Sequence, residues 1–387
     1  MYLNKISTYK FVANKYTILT VWVIMAVVAA ILEWDSNNFS IFRGVFWHTI
    51  EQKSLYDVYP QEYFDTNHYG PLFSVIIAPF ALIPRWAGLA LWHVCITLIL
   101  YLSIRKSTFN QKQQVFLFWF CTNELFTALA LSQFNIVTAA LIILTFCLIE
   151  KEQDIWGTLC IIIGTFVKLY GIVGLAFFFF SKHKKRFLYG LILWSIVAFI
   201  IPMLISNPEY IIGQYKEWYL SIVTKDSSNT FSFYQNISFL GIVRKITTCD
   251  TYSDMWLIIP GILIFILPYL RFKQYKNTAF RQMFLASVLM FVVLFSTGSE
   301  SCSYIIALVG VAIWFIAVTW KRSTLDIAII IFVFIITSLS PTDIFPTYIK
   351  QTIIQPYALK ALPVFIVWIK LSFEMCTKDY KVTTKTI

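Results

Sequence analysis

Residues 16–32 read YTILTVWVIMAVVAAIL, a run without one charged residue. A helix of that length covers most of a bilayer's hydrocarbon core. Residues 34–84 follow as WDSNNFSIFRGVFWHTIEQKSLYDVYPQEYFDTNHYGPLFSVIIAPFALIP, and the character changes at once. This stretch carries Asp35, Glu51, Asp57, Glu62 and Asp65 beside Trp34, Trp47, Tyr56, Tyr59, Tyr63 and Tyr69. A passive linker is rich in Gly and Ser and poor in aromatics. Carboxylates beside aromatic faces suit sugar chemistry at a membrane interface instead. The pair of stretches predicts a first span that leads into an active-site loop over 34–84. The apolar piece at 71–83 has only 13 residues and contains Pro79, so it reads as re-entrant or interfacial.

The composition extends the same reading to the whole chain. Its 387 residues are 58% hydrophobic and 13% charged, with a mean hydropathy of +0.71. Soluble domains carry roughly 25% charged residues. Twelve apolar runs can be marked: 16–33, 86–104, 114–131, 135–150, 154–166, 167–180, 187–205, 256–271, 282–297, 302–319, 325–339 and 356–372. They do not alternate as porin strands do. The expected fold is all-α, a polytopic transmembrane helical bundle of about 11–13 spans forming one domain over 1–387. The runs at 154–166 and 167–180 leave open one long tilted helix. The first run lacks a small-residue cleavage motif after it, so it reads as retained.

The net charge of +11 does not call for nucleic acid. With the N-terminus in the cytoplasm, 21 of the 31 Lys and Arg residues fall on inner segments, including Lys5, Lys10, Lys381 and Lys385. Nine fall outside and Lys168 lies within a span. That asymmetry orients the chain with both termini cytoplasmic; a bacterial inner membrane is the expected location. The outer side then receives 34–84, the Gln133–Asn135 turn, the 206–255 loop, the Ser296–Ser303 turn and the Pro341–Pro356 loop. A protein with its elaborate loops on one face works on that face. The seven cysteines show no metal or redox spacing, and no disulfide framework is expected. DxD, Walker, GxGxxG and HExxH motifs are absent, and no cofactor is expected, with a divalent metal left open.

Several polar residues fall where they are costly. Lys168 within a span carries a penalty of about 2.5–3.5 kcal/mol on insertion scales. It reads either as a cation for a phosphate at the interface, or as a lysine that snorkels or pairs with Glu124. Glu124, itself mid-span, is a functional candidate or a structural partner. Gln133 and Asn135 contact substrate or cap a helix. Trp86, Trp194, Trp218, Trp256 and Trp320 read as interface belt.

The order Leu55-Tyr56, Tyr69-Gly70-Pro71, Ala78-Pro79-Phe80, Gly88, Leu91-Trp92, Gln133-x-Asn135 and Lys168-Leu169-Tyr170 resembles glycosyltransferase family 87. That family is a branch of the membrane-embedded GT-C superfamily. The resemblance covers roughly residues 15–310, with Asn236 and Ser238 as a weaker match in the 206–255 loop. It implies transfer of a sugar, typically mannose, from a polyprenyl-phosphate carrier on the extracytoplasmic side. A carboxylate in the first outer loop is the family's usual base. Here the family's aspartate falls on Asn38, which cannot accept a proton. Asp65 then becomes the first candidate base and Asp35 the second. The family's later outer histidine is absent, and Glu300, Ser303 and Tyr304 stand there.

The function expected from the residues and the resemblance is inverting sugar transfer from a lipid phosphate to an outer glycolipid or glycan acceptor. Asp65 or Asp35 would take the acceptor's proton. Lys168 would meet the phosphate, with Asn38, His68, Tyr69, Glu124, Gln133, Asn135, Asn236 and Glu300 lining the substrates. Partners are the donor, the acceptor and the bilayer, not nucleic acid. A lipid or polysaccharide flippase and a non-catalytic lipid-carrier-binding paralogue are the competing readings. The lack of a paired repeat counts against a transporter.

Overall fold

The computed structural model describes residues 11–380, so Lys5, Lys10, Lys381 and Lys385 lie outside the described residues. Helix accounts for 74% of the structure and no strand occurs among the described residues, so the all-α expectation holds. The chain divides into two compact units, the first ending at Thr224 and the second beginning at Lys225.

The first unit contains α1 (Lys15–Leu32), α2 (Asn37–Glu51), α3 (Phe73–Ala81), α4 (Arg85–Arg105), α5 (Gln111–Ala130), α6 (Asn135–Glu150) and α7 (Asp154–Lys168). A 3-10 helix (Tyr170–Phe180), α8 (Lys184–Ile200) and the larger part of α9 (Pro208–Asn229) complete it. The second unit contains α10 (Phe239–Thr247), α11 (Met255–Ile266), α12 (Thr278–Leu294), α13 (Tyr304–Ile316), α14 (Thr324–Phe332) and α15 (Leu362–Thr377). Its core is α12 and α13, which are buried on nearly every face. Each predicted apolar run coincides largely with helix.

Among the described residues, three helical stretches are long and apolar enough to cross a membrane alone: Lys15–Leu32, Arg85–Arg105 and Lys184–Leu204. A fourth candidate is the pair Thr347–Ile354 and Leu359–Thr377, bent by 92°. The remaining apolar helices, such as Asn135–Glu150 and Thr278–Leu294, have 10–17 residues.

Side-chain caps set two of the helix starts that matter below. The Phe39 N–H donates to Ser36 Oγ at 3.4 Å at the start of α2. Asn110 and Gln113 form a reciprocal capping box on α5. Such caps satisfy N–H groups that a helix terminus otherwise leaves without partners.

Two stretches expected as loops are partly helical. Residues 37–51 form α2, which buries Phe39, Phe42, Val45, Phe46 and Thr49 on one side. Residues 208–229 form α9, which buries Ile211, Gln214 and Trp218. Both carry apolar residues at spacings of three and four, a pattern the surrounding polar residues obscure. The short segment at 71–83 contains α3, nine residues with Pro79 inside.

The run at 154–180 is two helices. Leu169 takes a left-handed φ of 56° and ends α7, and the 3-10 helix packs back against it. A Cβ on Gly171 would lie 2.5 Å from backbone atoms of Ile161 and Gly164, and one on Gly164 would lie 2.8 Å from the Gly171 Cα. Contact of backbone on backbone requires this glycine pair. Lys168 therefore stands at the apex of a helical hairpin.

Candidate active site

Three interruptions of the first unit's helices meet at one place. They are the segment Asn67–Pro71, the turn Ser132–Asn135 and the apex Lys168–Tyr170. The Gly70 N–H donates to Val167 O at 3.0 Å. A Cβ at Gly70 would lie 2.1 Å from Phe166 O and 2.9 Å from the Trp218 ring. Glycine is thus what lets the segment lie against the end of α7. Gly70→Ala is expected to lift the segment and destabilise the protein by about 1–3 kcal/mol. A thermal unfolding midpoint in detergent equal to that of the native chain would refute this.

Tyr69 is the hub of the segment. Its ring stacks on Phe73 at 4.8 Å between centroids and meets Phe42 edge-on at 5.0 Å. Each such pair contributes about 0.5–1.5 kcal/mol beyond area burial. The Tyr69 hydroxyl donates to Gln133 Oε1 at 2.7 Å. Its carbonyl accepts from the Tyr56 hydroxyl at 3.0 Å and from Asn67 Nδ2 at 3.1 Å. Burial pushes the Tyr56 hydroxyl well above its usual pKa, so it stays protonated and donating.

Lys168 Nζ donates to Asn135 Oδ1 at 2.9 Å and to Gln133 Oε1 at 3.3 Å. It also lies 5.6 Å from the Tyr69 ring centroid and 5.5 Å from that of Tyr170. Among the described residues no carboxylate pairs with it. Glu124 is fully buried in α5 and is not one of its partners, so the pairing alternative is not what forms. Neutral oxygens and ring faces offset part of the cost of burying the ammonium but cancel none of its charge. A cation in that state attracts an anion.

The turn that presents Gln133 is held from several sides. Ser132 adopts a left-handed φ of 51°, and Asn38 Nδ2 donates to Leu131 O at 2.7 Å. Ser36 Oγ and His93 Nε2 reach Ser132 Oγ at 2.9 and 3.0 Å. Asn38 is here a fastener for this turn.

Asp65 lies on an exposed strap with a left-handed φ of 71°. Backbone outliers of this kind cost about 1–3 kcal/mol and gather at functional sites, although Asp tolerates them better than most residues. The Thr66 N–H donates to Asp65 Oδ1 at 2.9 Å. On one side Asn37 of α2 brackets Phe64, donating to its carbonyl and accepting from its N–H, both at 2.7 Å. On the other side His68 Nδ1 lies 2.8 Å from Ser221 Oγ, and Trp218 Nε1 donates to His68 O at 2.9 Å. His68 is thereby an anchor of the strap on α9. Trp218, itself buried, joins it there.

Asp35 has a different setting. It forms an ion pair with Arg85 at 2.7 Å, and Arg85 also donates to Ser36 O at 3.2 Å. Glu62 meets the buried His48 at 3.0 Å. Asn236 and Glu300 lie in the second unit. Asn236 is fully buried with a left-handed φ of 51°, and its N–H donates to Thr297 O at 3.0 Å. Glu300 Oε1 accepts from Gln235 Nε2 at 3.0 Å.

Asn37 and Ser221 escaped the reading of the sequence, and Trp218 was read only as interface belt, because their helices went unseen. The face repeating through Ile211, Gln214, Tyr215, Trp218 and Ser221 was the available signal.

No curated protein matches the chain. The family model described as glycosyltransferase family 87 matches residues 67–297. The matched span takes in Tyr69, Gln133, Asn135 and Lys168, which the fold brings together, while Asp35, Asn38 and Asp65 precede it. More than half of the chain is matched, and the chain belongs to glycosyltransferase family 87, a family of sugar-transferring enzymes.

Proposed function

We propose that the chain transfers a hexose such as mannose from a polyprenyl-phosphate carrier to a glycan or glycolipid acceptor. The reaction takes place on the outer face of a bacterial cytoplasmic membrane, with both chain termini on the inner face. The observation that carries the proposal is Lys168, a half-buried cation at a helical apex, held by Gln133 and Asn135 and paired with no carboxylate among the described residues.

In this reading Asp65 accepts the proton of the acceptor hydroxyl. The hydroxyl oxygen attacks the anomeric carbon from the face opposite the phosphate, and the bond from that carbon to the phosphate oxygen breaks. The configuration inverts and polyprenyl phosphate leaves with the electron pair. Negative charge grows on the leaving phosphate in the transition state, and the Lys168 ammonium is fixed in place to meet it. Gln133 and Asn135 orient the ammonium, and Tyr69 fixes Gln133.

Asp65 is favoured over Asp35 because Asp35 is tied to Arg85. Both partners are partly exposed, and such a pair is worth about 0–1 kcal/mol. Asp35→Asn is therefore expected to leave transfer within about threefold of the native rate. A larger loss with native folding would move the base to Asp35.

The proposal is tested by mass spectrometry of lipid that copurifies in mild detergent, followed by incubation with radiolabelled polyprenyl-phosphate sugars. The expected result is a bound polyprenyl phosphate and label in a new glycosidic product. Movement of intact lipid across proteoliposomes with no new bond would replace transfer with flipping.

A further inference from the structure

The second unit holds a buried cation that the proposed reaction does not use. Lys245 projects from α10 and is only 8% exposed. Its one hydrogen bond among the described residues is to Gln235 O, at 3.2 Å. The other two ammonium hydrogens have no protein acceptor there. The Gln235 side chain is half-buried and also underused. Its Nε2 donates once, to Glu300 Oε1 at 3.0 Å, which leaves its second N–H to spare.

The surroundings are rigid. The Asn236 and Ile237 N–H groups donate to Thr297 O and Ser299 O at 3.0 and 2.8 Å. The Tyr304 hydroxyl donates to Ile237 O at 2.9 Å. Ser238 Oγ donates to Asn236 Oδ1 at 2.7 Å and accepts the Gly241 N–H at the start of α10. The segment 235–238 is thus locked to the turn at 297–304.

Of the other charges on α10 and the elements packed against it, the Glu300 carboxylate holds one Gln235 N–H, Arg244 pairs with Asp254, and Lys360 donates to Ser301 of the same turn. Lys370 and Glu374 of α15 pair with each other and with Asp326 and Arg322. Burial lowers the Lys245 pKa to about 8, as expected of an ammonium with too few acceptors.

We propose that Lys245 and the side-chain amide of Gln235 form an anion subsite in the second unit that takes a phosphate ester. A phosphate oxygen would supply the acceptors that Lys245 lacks, and the spare Gln235 N–H would meet a second oxygen. The subsite rests on the reading of the enzyme as one that handles lipid phosphates. It adds a residue and a place that reading does not contain. A phosphate held there favours charged Lys245, so affinity is greatest below a pH of about 8 and falls about tenfold per unit above it.

The test is equilibrium binding to the full chain in detergent, followed from neutral to alkaline pH. One arm uses a polyprenyl-phosphate sugar and the other uses dimethyl phosphate. Both are diesters whose charge is constant over this range. The native chain is expected to bind at two sites, one at Lys168 and a pH-dependent one at Lys245, and Lys245→Met to weaken the second by about 10–100-fold. Lys245→Arg, which keeps its charge, is expected to retain binding and flatten the alkaline loss. If Lys245→Met fails to fold, the flattened profile of Lys245→Arg still decides. Binding in both arms assigns recognition to the phosphate alone, and binding only in the lipid arm assigns it to a lipid-linked phosphate. The proposal is overturned if the variants bind with the affinity and pH profile of the native chain, or if the native chain binds neither ligand. Loss of transfer on changing Asp65, with Lys245-dependent binding intact, would separate the two readings.

Discussion

Asp65→Asn is expected to reduce sugar transfer by about 10²–10⁴-fold, the usual contribution of a positioned general base. Asparagine is the sharpest substitution available. It is isosteric, its Oδ1 can still accept the Thr66 N–H, and it tolerates the left-handed backbone of this position. The anchors of the strap, Asn37 at Phe64 and Ser221 at His68, are untouched. Donor binding and thermal stability should therefore remain native while the chemical step slows. Single-turnover transfer from a labelled polyprenyl-phosphate sugar at saturating protein gives that step directly. A rate within threefold of native would remove Asp65 as the base. If Asp35→Asn then proved inactive, the acid at the start of α2 would take the role and the Arg85 pair would become part of its orientation.

The fold was legible wherever hydropathy spoke without interference. Runs such as 16–32 and 282–297 are mostly apolar and carry no charged residue, and helix is what such a run becomes when its backbone must bond to itself. Helices α2 and α9 were hidden because half of each faces away from the core, so average polarity masks a regular apolar face. The break at Leu169 had a visible cause that carried no weight by itself. Gly164 and Gly171 look ordinary in sequence, and only their contact shows why α7 stops at Lys168.

The candidate site divides in the same way. Tyr69, Gly70, Gln133, Asn135 and Lys168 were legible as motifs, and the fold gathers them around one ammonium. What no linear reading could supply is the set of fasteners. Asn37 holds Phe64, Asn38 holds Leu131 and Trp218 holds His68, each across 27 or more positions of chain. Such contacts follow from tertiary packing, and the residue types involved are common in any polar loop.

Lys168→Met should weaken donor binding by roughly 10–100-fold, the range for loss of a hydrogen bond to a charged group. The transfer step should fall by a further factor of about 10²–10³, because charge on the phosphate is larger in the transition state than in the bound donor. Methionine keeps the unbranched shape of the side chain and removes the charge. The Gln133 carbonyl oxygen retains its bond from the Tyr69 hydroxyl, while Asn135 Oδ1 loses the Lys168 donor. The variant should therefore fold, with a modest loss of stability. Lys168→Arg tests geometry at constant charge. Its rigid planar fork does not reproduce a point charge held between two amide oxygens, so it should restore part of the binding and less of the rate. Affinity is measured with the phosphodiester donor and turnover with the same donor plus acceptor. A lysine present only to hold the Gln133 and Asn135 turn would give native donor affinity in the methionine variant together with a lowered unfolding midpoint. A lysine that serves the phosphate gives the reverse, and the separation between affinity and rate then measures how much of its charge is reserved for the bond that breaks.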